Sequence, residues 1–213
     1  LAVTLAGYYA SHGRSVTLLD YDEQGSSTRW ATVRPEERPP VNLIKAYDAS
    51  RQVTRSFALR IPRGTERLVV DSPARVSRDM LVEITRDANA IIVPVLPSEI
   101  DIHAASRCIE ALLLGARIRP AEGRIAVIAN RSRVNTRAYA ALRRFLLSLD
   151  IPFLTTLRDT QNYVTAVSEG LSLHEMTPSR IRADVAQWQP LLDWIETRTD
   201  MLANVSSISG RAR

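Results

Sequence analysis

Two carboxylates one residue apart, Asp20 and Asp22, stand where the apolar run Val16-Thr-Leu-Leu gives way to Glu23-Gln24-Gly25-Ser26-Ser27. Carboxylates at the end of a buried strand can hold a divalent cation or orient a water. In an extended chain residues two apart point to the same side, so both can face one ligand; the alternative is that they only solvate a strand end. The pattern recurs twice. Leu68-Val-Val-Asp71-Ser72-Pro73 brings a third carboxylate and Ile125-Ala-Val-Ile-Ala-Asn130 an amide, which offers a donor and an acceptor together. Asp71 could equally cap a helix, and asparagine is a common turn residue. Open α/β sheets gather ligand chemistry at the carboxyl ends of their strands. Three polar strand tips separated by helical stretches therefore describe a nucleotide site.

These side chains need a frame. Leu1 to His12 reads as an apolar helix closed by Gly13, and Val16 to Asp20 as a buried strand. Val41 to Ala46 is a candidate strand after the Pro-rich loop Arg34 to Pro40, and Ser50 to Leu59 a short helix. Strands follow at Arg67 to Asp71, Ala90 to Leu96, Arg124 to Asn130 and near Pro152 to Thr155. Helices alternate with them at Ser77 to Asp87, Ile100 to Leu114, Thr136 to Ser148 and Gln161 to Glu169. An amphipathic C-terminal segment carries a stripe of Val185, Trp188, Leu192 and Ile195, and Pro190 must kink it or start its second half. Wholly apolar strands alternating with helices predict an α/β fold, a doubly wound, mostly parallel sheet flanked by helices. The expectation is a single domain over residues 1–200 and a disordered tail over residues 201–213. A doubly wound domain ordinarily opens on a strand whose loop cradles phosphate. Here residue 1 already lies in a helix, so a central strand is expected to be missing, most simply by truncation.

Composition narrows the class. The formal charge of +5 leans toward polyanion binding, although nearly all the positive charge is arginine, which codon bias also produces. A lone cysteine, Cys108, excludes an internal disulfide and reads as a buried structural thiol in a helix. No apolar run is long enough for a membrane span and the start lacks a basic signal region, so the expected location is cytoplasmic. Between Arg117 and Arg144 eight arginines face the single acid Glu122. Arg133, Arg137 and Arg144 would share a helix face while Leu142, Phe145, Leu146 and Leu149 turn inward. Such a stripe is either a solvated face or a track for phosphates that reads no bases.

In this order and spacing the segments resemble the ParA/MinD family of deviant Walker ATPases, particularly its small ParA members. Leu1-Ala-Val-Thr-Leu-Ala resembles the helix after that family's Lys-Gly-Gly-x-Gly-Lys-Thr-Thr loop. Asp20-Tyr-Asp22-Glu23-Gln24-Gly25-Ser26 is similar to its Asp-x-Asp-Pro-Gln-Gly-Ser switch I, with Glu23 where proline is usual. Leu68-Val-Val-Asp71-Ser-Pro73-Ala resembles Walker B with switch II, and Ala90-Ile-Ile-Val-Pro94-Val-Leu-Pro97 the strand that follows. Arg158-Asp159 and Ala166-x-x-x-Gly170 are similar to its C-terminal pattern.

The resemblance implies a P-loop NTPase-like fold with ATP and Mg2+ as cofactors. Asp71 would hold magnesium, through water, and Asp22 would position the attacking water with Asp20 in the same network, the division between the two aspartates being open. Asn130 would read adenine and Pro73 would lie beside the nucleotide. Arg131, Arg133, Arg137, Arg144 and Arg158 would contact DNA nonspecifically. The implied partners are a second copy in an ATP-dependent homodimer and an activating, ParB-like adaptor, with no membrane and a nucleoid-associated location. The phosphate-binding loop itself is absent from this sequence, and Thr4, inside a helix, cannot replace its hydroxyl. Hydrolysis is therefore expected of the full-length parent and not of these 213 residues alone. The alternative is a non-catalytic, ParA-like DNA- or partner-binding module that has lost the loop. A MinD-like membrane-cycling ATPase or an amide-forming ligase is a third reading, and the tail Ser206 to Gly210 lacks the apolar face the former needs.

Overall fold

Apolar runs bounded by polar caps set the elements. The computed structural model describes the backbone of residues 1–47 and 60–209, and side chains as far as residue 199. The helix expected over Ser50 to Leu59 lies outside the described residues. The chain divides into two compact units, Leu1–Val76 with Thr160–Arg182 and Ser77–Asp159 with Ala183–Arg213, where the sequence suggested one domain.

In the first unit β1 (Val16–Asp20) is buried along its whole length. It is the middle of a parallel sheet in the order β2-β1-β3, with β2 at Asn42–Lys45 and β3 at Arg67–Asp71. A strand apolar on both faces needs cover on both, which a central place in a parallel sheet supplies. The register sets Asp20 beside Lys45 on one side and Asp71 on the other. Helix α1 (Ala2–Ser11) lies against β1 and β3, burying Val3, Thr4, Ala6, Tyr9 and Ala10, and the chain leaves it through Gly13 at φ +76°. Helix α2 (Ser26–Thr32) starts at Gly25 in the left-handed region and buries Trp30.

The second unit repeats the parallel arrangement as β4-β5-β6, with β4 at Ile91–Val95, β5 at Ile125–Ser132 and β6 at Phe153–Arg158. Ile125 to Ala129 of the central β5 are buried. Side-chain hydroxyls open the helices: Ser77 before α3 (Arg78–Thr85), Ser98 before α4 (Glu99–Glu110) and Thr136 before α5 (Arg137–Ser148) each accept an amide of the first turn. Thr160 does the same for α6 (Gln161–Ser168), which belongs to the first unit. Instead of one helix to Leu114, α4 gives way to a wider π-helical turn at Ala111–Gly115 that buries Leu112 and leaves Leu114 exposed. Cys108 is exposed rather than buried, because Ala105, Ile109 and Leu112 form the inward stripe and Cys108 lies off it.

The last helix, α7 (Pro178–Ser209), is continuous and contains Pro190, which faces solvent. Trp188, Leu191, Leu192 and Ile195 are buried and Val185 is half-buried. Residues 201–209, expected to be disordered, continue this helix: Met201-Leu-Ala are good helix formers and neither proline nor glycine occurs between Met201 and Ser209. Among the described residues no helix is long and apolar enough to cross a membrane.

The contact of α1 with the turn Leu173–Glu175 predicts an acid sensitivity. The Tyr8 ring lies 4.2 Å from His12 and 4.8 Å from His174, centroid to centroid. Burial, and then the charge of His12, lower His174 from 6.5 to about 4. The unfolded chain binds a proton near pH 6.5 that the folded chain refuses until about pH 4, so stability falls as pH drops through that window. Denaturant midpoints should record a loss of up to about 3 kcal/mol between those pH values, and His174→Phe should remove most of it. Equal pH profiles for the two proteins would show that His174 is not the group responsible.

Candidate active site

Asp20 and Asp71 end neighbouring parallel strands in the same register, so the fold itself sets two carboxylates side by side. Asp20 is fully buried and its oxygens are engaged: Oδ1 accepts the Asp22 amide at 3.1 Å, and Oδ2 accepts the amide and hydroxyl of Thr28 at 2.9 and 2.7 Å. It thus satisfies donors at the first turn of α2, where an anion is favoured. Asp71 Oδ2 accepts the hydroxyl of Ser27, itself 1% exposed, at 2.5 Å. Burial raises the Asp71 carboxyl above its ordinary range; the Ser27 hydrogen bond opposes this, while the charges of Asp20 and Asp22 add to it. A carboxylate held among other carboxylates gains from a nearby cation. Asp22 stands in the loop between, half-buried, with Oδ1 accepting the Gln24 amide at 3.0 Å and its carbonyl accepting the Gly25 amide at 2.8 Å. Pro73, also half-buried, lies two residues past Asp71, and Thr4 is buried inside α1.

The far end of α2 is fastened as firmly. Trp30 Nε1 donates to the Leu171 carbonyl at 2.9 Å. Arg34, just beyond the helix, forms a buried bidentate pair with Glu175 at 2.7 and 2.9 Å and donates to the carbonyls of Gly170 and Pro39. Burial pushes the Glu175 carboxyl up, but the Arg34 hydrogen bonds, the Ser172 amide and the Arg34 charge outweigh it and the net shift is downward.

The other polar tip lies in the second unit. Asn130 is a half-buried residue of β5, which runs on to Ser132, and its Oδ1 accepts the Arg131 amide at 3.1 Å. Arg131 adopts φ +46°, an uncommon conformation for a side-chain-bearing residue, in a stretch where the β5–β6 register shifts. The expected basic stripe is divided. Arg133 precedes α5 rather than sharing its face, because Thr136 caps the helix after it, and both Arg131 and Arg133 pair with Asp159, at 3.6 and 3.1 Å. Arg158 makes a two-pronged pair with the buried Asp184 of α7, and its amide donates to Gln187. Arg124 bonds Glu122 and the carbonyls of Thr85 and Ala88. Arg137 and Arg144, two turns apart on α5, are exposed while Leu142 and Leu146 are buried.

The family model for the CobQ/CobB/MinD/ParA nucleotide binding domain matches residues 1–173. The chain belongs to this family. A relative, the maintenance of carboxysome distribution protein A of Halothiobacillus neapolitanus, is 24% identical over 177 residues, spanning 83% of this chain and 80% of its own. Among solved structures, a putative plasmid partition protein of Borrelia burgdorferi bound to AMPPNP superposes with a TM-score of 0.66 at 14% identity, over 90% of this chain and 91% of that one. MinD in the MinC:MinD complex of Aquifex aeolicus gives 0.61 at 15% identity, over 95% and 89%. These likenesses establish the parallel α/β fold of ParA/MinD proteins, as the sequence predicted.

Within this ParA/MinD-family domain the structure brings Asp20, Asp22 and Asp71 into one unit and sets Asn130 and the arginines in the other. Sequence reasoning missed Ser27 and Thr28. The available signal was two hydroxyl residues immediately after Gly25, at a helix start that follows two aspartates.

Proposed function

We propose that this protein is a ParA-type ATPase that partitions DNA or positions an intracellular cargo. The observation that carries the reading is the in-register pair Asp20–Asp71, with Asp22 held in the adjoining turn, in a chain of the CobQ/CobB/MinD/ParA family. Such a site suits phosphoryl transfer, which needs a metal near the phosphates and a placed water. Asp71 would hold Mg2+: its carboxyl is raised by burial and neighbouring charge, and a cation would relieve both. Among the described residues no three His, Cys, Asp or Glu side chains form a metal cage, so the cation's shell would be completed by waters and phosphate oxygens, as magnesium commonly arranges. Asp22 would orient the attacking water. Asn130 would read the adenine edge of ATP, with Pro73 beside the nucleotide. The carboxysome-distribution and plasmid-partition likenesses support a positioning role, in which an ATP-bound homodimer holds nucleoid DNA in the cytoplasm and a ParB-like adaptor triggers release.

Of the arginines expected at DNA, Arg137 and Arg144 are the best placed, being exposed on one face of a capped helix. Arg131 and Arg133 would have to share Asp159 with phosphate, and Arg158 would keep its pair with Asp184. The test is retention of the full-length protein on DNA with ATP, with ADP and without nucleotide. Retention is expected with ATP alone. Arg137→Glu with Arg144→Glu should weaken it by about tenfold or more and flatten the salt dependence by about two charges. Equal retention in all three states would sink the ATPase reading in favour of a non-catalytic DNA-binding module.

A further inference from the structure

Ser27 is buried, and its hydroxyl has a partner far away in sequence. It belongs to the first turn of α2, yet it caps nothing there, since α2 has no side-chain cap; it donates instead to Asp71 Oδ2 at the end of β3. The adjacent Thr28 binds Asp20, so two successive hydroxyl residues hold the carboxylates of two neighbouring strands. Thr28 uses its amide as well as its hydroxyl, as a helix start does with any anion. Ser27 offers Asp71 the hydroxyl alone. That bond fixes one carboxylate oxygen and leaves Oδ1 for a cation or one of its waters. Carboxylates that ligate metals are commonly oriented by such outer hydrogen bonds, and loss of one typically costs 10- to 100-fold in metal affinity.

We propose that Ser27 is a positioning residue whose hydroxyl holds Asp71 in the orientation that binds a divalent cation. The inference rests on the nucleotide and magnesium reading above. The rival is a hydroxyl that merely braces α2 against β3; such a brace would affect stability and leave cation affinity alone.

The experiment uses the full-length protein with ADP and Mn2+ as a paramagnetic probe, free Mn2+ being followed by electron paramagnetic resonance. ADP affinity without metal is measured in parallel by calorimetry. Ser27→Ala should weaken Mn2+ binding by about tenfold or more, with metal-free ADP affinity within about twofold of wild type, and Ser27→Thr should restore the cation. Should Ser27→Ala fail to fold, Ser27→Cys keeps the volume with a much weaker donor and gives the same comparison. Wild-type Mn2+ affinity in the alanine or cysteine variant overturns the proposal while leaving the site itself standing. A wild-type protein that binds ADP but takes up no Mn2+ overturns both.

Discussion

Asp22→Ala in the full-length protein is expected to cut ATP turnover by about two orders of magnitude or more while ATP-dependent DNA retention survives. The hydrogen bonds separate the roles open to Asp20 and Asp22. Asp20 is fully buried and is held by the Asp22 amide and by both donors of Thr28, so its truncation would strand donors at the start of α2 and weaken the fold. Asp22 is half-buried, and among the described residues its side chain accepts a single hydrogen bond, from the Gln24 amide to Oδ1, so Oδ2 would be open to hold a water. Removing it would take away the proposed water-orienting carboxylate without opening the core. Phosphate release at saturating ATP, compared with filter retention of DNA by the same preparation, separates these outcomes. Undiminished phosphate release would take Asp22 out of the reaction.

Gly170→Ala is expected to be the most damaging small substitution in the first unit, costing about 4 kcal/mol or more. Gly170 has φ +66°, where a Cβ is already unfavourable, and that Cβ would sit 2.4 Å from Arg34 Cα and 2.5 Å from Arg34 N and the Val33 carbonyl. All three are backbone atoms, so no side chain can swing aside. The displaced segment is the one whose guanidinium is locked to Glu175. Gly64→Ala is the control: its φ is +86° but nothing lies within 4 Å of the added carbon, so the conformational cost stands alone, at about 1 kcal/mol. Urea unfolding of the two variants would give clearly different midpoints, and matching ones would mean that the Gly170 contact can relax.

Much of this was legible because it is local. The apolar runs ending in Asp20, Asp71 and Asn130 became β1, β3 and most of β5, and Ser77, Thr136 and Gly13 marked their helix ends. What escaped was set by partners distant in sequence. Nothing near Ser27 announces Asp71, 44 positions on, and nothing near Arg158 announces the buried Asp184 that occupies its guanidinium. Arg133 fits helical spacing with Arg137 and Arg144, but the Thr136 cap starts the helix too late to include it. The Ala166-x-x-x-Gly170 pattern was visible and its cause was not: Ala166 is buried, and Gly170 lets the Arg34 backbone pass.

Lys45 is the sole lysine of these 213 residues, exposed at the outer strand β2 and in register with Asp20. Amine-directed reagents would therefore find a single side chain in this stretch of sequence. A fluorophore attached there would sit one strand away from the buried aspartate, an address that nature's preference for arginine has left unambiguous.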